Sequence, residues 1–160
     1  MKILRSTLAL VLLCATSLSL VAQQKERVLP VITTGKDSTW YAQQYELWDK
    51  EVKKHPKSEN AWRNLFTADF YLNNWFTEER PPLDSVNVIL QRMEKAIPGS
   101  FTYNYCVYKN YMDGTSEHAE RALQLMPRDA DLITVDCLLA YLWRTGADAD
   151  KGRRGAQFTA

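Results

Sequence analysis

An all-α fold, three antiparallel helix hairpins stacked as a short, irregular α-solenoid or bundle, follows from three features of the sequence. Apolar residues recur at helical spacing from Tyr41 to Leu142. Three short polar stretches interrupt them, each carrying a proline: "HPKSENAWRNLF" around Pro56, "IPGSFTYNYCVY" around Pro98 and "MPRDADLITVDC" around Pro127. No stretch beyond residue 22 offers the strict alternation or the Asn-Gly turn of a sheet protein.

Residues 1–22 read as an export signal. Lys2 and Arg5 form a basic head, "LALVLLCATSLSLVA" follows, and Ala22 precedes the polar "QQKER". That apolar run falls short of the roughly 20 residues a membrane span needs, so no stable span is expected once the signal is removed; an uncleaved anchor is the competing reading. Cys14 stands behind Leu13, where a lipid-modified cysteine would need a small neighbour. Removal of the signal leaves 18 basic against 19 acidic residues, a net charge of −1 that recommends no nucleic-acid partner. Residues 23–38 mix charge, Pro30 and Gly35 without periodicity and read as a leader or linker.

The helical domain covers 39–146. Asp37 or Ser38 caps its first helix, and Tyr41, Tyr45, Trp48 and Val52 share one face. Pro56 forces a stop near Lys54, because the residue before a proline is pushed out of the α region. Ser58 caps the next helix, whose inward residues are Ala61, Trp62, Leu65, Phe66, Leu72 and Phe76; the asparagines at 73 and 74 and "EERPP" end it. Val86, Ile89, Leu90, Met93 and Ile97 then make one stripe, "PGS" turns the chain, and Phe101, Tyr105, Tyr108 and Met112 make another, closed by Asp113 and Gly114. In the third pair Ala119, Ala122, Leu123 and Met126 face inward. They are answered by Leu132, Val135, Leu139 and Leu142 or Trp143, with Gly146 as the stop.

The three prolines mark one repeated design. Trp48, Leu90 and Ala119 stand eight residues before them, and Trp62, Tyr103 and Ile133 five or six after. Each copy is a helix end, a tight turn and the first inward anchor of the next helix. One hairpin cannot bury its apolar face alone, whereas stacked neighbours can. On "AERALQLMPRDAD", with the small Ala122 five residues before Pro127, on "WRNL" through Trp62 and Leu65, and on "LLAYLWRTGAD", residues 39 to 150 resemble the tetratricopeptide-repeat (TPR-like) family. Proline spacings of 42 and 29 in place of 34 make the array irregular. The resemblance implies a scaffold that binds a protein or peptide.

The run "LITVDCLLAYLW" is the most apolar helix, and the polar tail 147–160 offers little to cover its far side. A solenoid needs a polar cap there, so the tail is expected to be the start of a continuation in a longer protein. That continuation makes the alternative function: an N-terminal helical accessory region of a longer exported enzyme or glycan-handling protein.

Catalytic chemistry finds little material. His55, His118, Cys106 and Cys137 lack metal-ligand spacing, so no metal and no cofactor is expected. Glu78 and Glu79 fall in a proline-rich connection, and there is neither a nucleophile elbow nor a glycine-rich phosphate loop. Lys151, Arg153 and Arg154 read as a solvated tail. Cys106 and Cys137 sit in helical patterns, where either a disulfide of an oxidising compartment or two buried thiols fits. The remaining signal is "FTYNYCVYKNY". Tyr105 and Tyr108 belong to the inward stripe, whereas Tyr103 and Tyr111 sit at its edge and, with Asn104, Lys109 and Asn110, form a candidate ledge for an extended peptide or a sugar ring.

Function is thus expected to be that of an exported, non-catalytic scaffold of the periplasm or cell surface. Replacing Tyr103 and Tyr111 by Ala is expected to leave thermal melting nearly unchanged while weakening partner binding. A large loss of melting temperature would place them in the core instead.

Overall fold

The computed structural model describes residues 24–76, 86–111 and 116–145. Among them are seven helices: α1 (Val31–Thr34), α2 (Ser38–Lys54), α3 (Glu59–Asn74), α4 (Val86–Ala96), α5 (Phe101–Tyr111), α6 (Ser116–Leu125) and α7 (Leu132–Thr145). The fold is all-α, a helical bundle in which each helix from α2 onward packs on its neighbours in sequence, with α3 also touching α5. Expectations for residues 1–22, Glu78, Glu79, Met112 to Gly114, and Gly146 with the tail lie outside the described residues.

Local chemistry sets the helix ends. The Asp37 carboxylate accepts from Trp40 N at 2.9 Å and the Ser58 hydroxyl from Ala61 N at 3.3 Å, so each satisfies an amide that the first helical turn leaves without a partner. Between α2 and α3 only four residues intervene, which makes this pair antiparallel. The next turn needs Gly99, whose φ of +68° is a left-handed conformation costly for any residue with a Cβ.

The core runs through every hairpin. Tyr41, Trp48 and Val52 of α2 pack with Trp62, Leu65, Phe66 and Leu72 of α3 and with Val86, Ile89, Leu90 and Met93 of α4. Phe101, Tyr105 and Tyr108 carry it into α5, and the small Ala119 and Ala122 let α6 approach closely. Tyr105 and Phe101, not Tyr103, are the inward anchors after Pro98; Tyr103 is only partly buried.

Two expectations are corrected. In α7 the buried residues are Thr134, Leu138 and Tyr141, while Leu139 is 49% and Trp143 91% exposed. The helix is turned by one residue, about 100°, from the face expected. Its sequence is apolar almost all round, so hydrophobicity alone does not choose a face; a polar anchor at Thr134 does, as described below. The second correction concerns residues 24–30. They are no bare linker, because Val28 and Pro30 are buried and the segment lies along α2 and α3 before α1 begins.

Trp62 joins turn and core. Its ring is buried, its Nε1 donates to the Pro56 carbonyl at 2.8 Å, and the Arg92 guanidinium lies 5.2 Å from the ring centre. Trp62→Ala is expected to cost about 3–5 kcal/mol by leaving a cavity. Trp62→Phe keeps most of the packing and should cost less, chiefly the lost hydrogen bond at about 1 kcal/mol. Urea unfolding of the two variants checks the order.

Candidate functional site

Two buried amides define the site. Gln44, on the Tyr41–Trp48 face of α2, is 3% exposed, and Asn64, beside Trp62 on α3, is 4% exposed. A buried amide without partners is costly, so each must find them. Both find them in the main chain of residues 24–28. Gln44 Nε2 donates to the Gln24 carbonyl at 3.1 Å, and Gln44 Oε1 accepts from Glu26 N at 2.9 Å. Asn64 Oδ1 accepts from Val28 N at 2.7 Å, while its Nδ2 donates to the Asn60 carbonyl at 2.8 Å, which fixes the orientation of the amide.

Aromatic groups complete the set. Trp48 Nε1 donates to the Glu26 carbonyl at 2.9 Å, and the Tyr41 hydroxyl donates to the Leu29 carbonyl at 2.5 Å. Burial pushes the Tyr41 phenol above its ordinary pKa, although a hydrogen bond with Thr34 partly opposes it, so at neutral pH it stays a donor. Five main-chain groups of one extended segment are therefore read by four side chains.

The segment's own side chains reach outward to acids. Lys25 pairs with Glu51 and lies 5.5 Å from the Trp48 ring centre. Arg27 pairs with Asp131 at 2.7 Å. Beside the segment opens a cavity of about 230 Å³, walled by Val28 to Pro30, by Asn60, Arg63 and Thr67 of α3, by Tyr105 and Lys109 of α5, and by Asp129, Asp131 and Ile133 at the start of α7.

Asp131 ties these parts together. Its carboxylate caps α7 by accepting from Thr134 N at 2.9 Å and Thr134 Oγ1 at 3.1 Å, and it pairs with both Arg27 and Arg63. Arg63 also bonds Thr134 Oγ1, so the first turn of α7 is locked to α3. Burial alone would raise the Asp131 carboxyl, but the Thr134 amide, Arg63 and the Thr134 hydroxyl outweigh it and hold its pKa below the ordinary value.

The five ledge residues are divided between different surroundings. Tyr103 meets the His118 ring edge-on at 5.8 Å, and buried Asn104 lies 2.9 Å from His118 Nδ1. Asn110 and Tyr111 both reach Asn87, at 3.4 Å and 2.6 Å, and Tyr111 is 48% exposed. Lys109 instead lines the cavity, its Nζ 5.5 Å from the Phe70 ring centre, 5.8 Å from Tyr71 and 5.9 Å from Tyr105. Burial pulls its amine below the ordinary lysine pKa, partly opposed by the neighbouring thiols. Helical spacing separates Asn104 from Lys109 by about 140°, so one helix cannot present both to the same ligand surface.

Cys106 and Cys137 are free thiols. Burial pushes Cys106 up to about 12 and raises Cys137, so neither offers a thiolate nucleophile at neutral pH. Among the described residues no cluster of His, Cys, Asp or Glu is placed to hold a metal ion, and no helix is long and apolar enough to cross a membrane. What the arrangement does chemically is hold an extended polypeptide by its backbone. Sequence reasoning missed Gln44, Asn64 and Asp131. The available signal was an amide standing on each of two apolar helix faces, which demands a buried partner. Compared with protein families, characterised proteins and solved structures, the chain finds no match.

Because the folded pKa of Asp131 lies below its unfolded value, its stabilising contribution is complete above the unfolded pKa, near 3.8, and is lost as pH falls through the lower folded value. Asp131→Asn should therefore weaken the protein at pH 7 and shrink the stability difference between pH 7 and pH 3. Urea unfolding at the two pH values measures both effects.

Proposed function

We propose that the chain is an exported, non-catalytic, divergent TPR-like scaffold that binds an extended protein or peptide segment in the periplasm or at the cell surface. The observation that carries this reading is the set of side chains from α2 and α3 that hydrogen-bonds the main chain of residues 24–29. Backbone reading of that kind suits a protein whose ligand is polypeptide, since side-chain identity contributes little to those bonds. The repeated proline turns, the buried Trp62 and the close approach of α6 at Ala119 and Ala122 support the TPR-like architecture. Exported location rests on the basic head and apolar run of residues 1–22.

A second reading makes this domain the N-terminal accessory region of a longer exported enzyme or glycan-handling protein. The stripe of α7 at Asp136, Leu139, Ala140 and Trp143 favours it, because a large exposed apolar strip on a helix is suited to packing against further structure. Immunoblotting of the native protein separates the two: a mass well above 18.5 kDa favours the second.

Binding is tested by arrays of extended peptides and of oligosaccharides probed with the full chain. Peptide binders are expected, and the double change Gln44→Ala with Asn64→Ala should weaken them at least about tenfold, since each buried polar partner lost is worth 1–3 kcal/mol. Sugar binding that this double variant leaves intact would overturn the peptide reading.

A further inference from the structure

The groove that reads polypeptide backbone is already filled, and the chain itself fills it. Residues 24–29 contribute only main-chain atoms to the bonds with Gln44, Trp48, Asn64 and Tyr41. Both Glu26 N and Glu26 O are engaged, with Gln24 O on one side and Val28 N on the other, so alternate residues face the groove as in an added strand. The segment is lightly fastened otherwise. Residues 24–27 are exposed, and only Val28 and Pro30 are buried. Sections with few buried apolar contacts open at the low end of a protein's free-energy range.

We propose that residues 24–30 are a ligand held in cis, and that the partner is an extended segment of the same chemistry which displaces them: two basic side chains two residues apart, followed by an apolar one. The proposal rests on the peptide-binding reading above and adds to it the resting occupant and the ligand's character. Two acids at the groove rim supply the selection. Glu51, beside the Trp48 ring, takes Lys25, and Asp131 takes Arg27. Val28 fills the apolar position between them and α1. Displacement without a successor would leave the amides of Gln44 and Asn64 buried and short of partners, so the segment leaves only when another backbone replaces it. Occupancy in cis lowers the apparent affinity of any competing peptide by the fraction of time the groove stands open.

The probe is the acetylated, amidated and fluorescein-labelled peptide QKERVLP, copied from residues 24–30 and titrated into the full chain with anisotropy as readout. Val28→Asp, which loosens the cis segment, is expected to bind the probe at least about tenfold more tightly than the wild type, as follows if the groove is open no more than about a tenth of the time. Adding Gln44→Ala and Asn64→Ala to that variant should abolish binding, as should N-methylation of the probe at the amides matching Glu26 and Val28. A probe with both basic residues changed to Glu should bind far more weakly. Equal affinity of the wild type and a folded Val28→Asp variant overturns the proposal. Should Val28→Asp fail to fold, amide hydrogen exchange on the wild type decides. The Glu26 and Val28 amides should exchange slowly, and excess unlabelled probe should speed them; unchanged rates at saturating probe refute displacement. The two readings fail differently: array peptides that bind without disturbing these amides remove only the cis ligand, whereas no peptide bound by any variant removes the scaffold reading as well.

Discussion

No helix of this chain can bury its apolar stripe without the next, and the rest of the structure depends on that mutual cover. Trp62, Leu65 and Phe66 belong at once to the contact with α2 and to the contact with α4 and α5. The large aromatic residues sit where these contacts meet, and the proline turns hold successive helices close enough for one stripe to serve two neighbours. A change at such a position acts on two interfaces, and its cost follows the cavity it leaves.

Polar groups inside that cover are what turn a packed bundle into a surface with a use. Gln44 and Asn64 lie on faces that are otherwise apolar, and their amides are satisfied by a segment from outside the helices. Asp131 plays the matching part at the other end, joining the segment, α3 and the first turn of α7 through one carboxylate. Breaking such a network by removing one member leaves the others buried and short of partners, which is why its parts act together.

Much of the fold was legible because it rests on periodicity and turn chemistry. The stripes Tyr41–Trp48–Val52 and Val86–Ile89–Leu90–Met93–Ile97 are buried as their spacing demands, and Asp37 and Ser58 cap the helices they precede. The face of α7 was not legible, since a helix apolar on nearly every side carries no directional signal. Of the candidate ledge, the residue types stood in the sequence but not their grouping. Tyr103 and Asn104 meet His118, Asn110 and Tyr111 meet Asn87, and Lys109 lines the cavity, because a helix surface distributes consecutive residues around its axis.

The sequence by itself determined the all-α class, the helix boundaries near 37, 54, 58 and 74, and most of the core, all of which follow from short-range spacing, capping and the geometry of proline. Only the tertiary structure decided that residues 24–30 lie against α2 and α3 and that α7 turns Thr134 and Leu138 inward. The physical reason is separation along the chain. Val28 meets Asn64 and Arg27 meets Asp131 across 36 and 104 residues, and a hydrogen bond between distant polar groups leaves no periodic mark on either stretch that makes it.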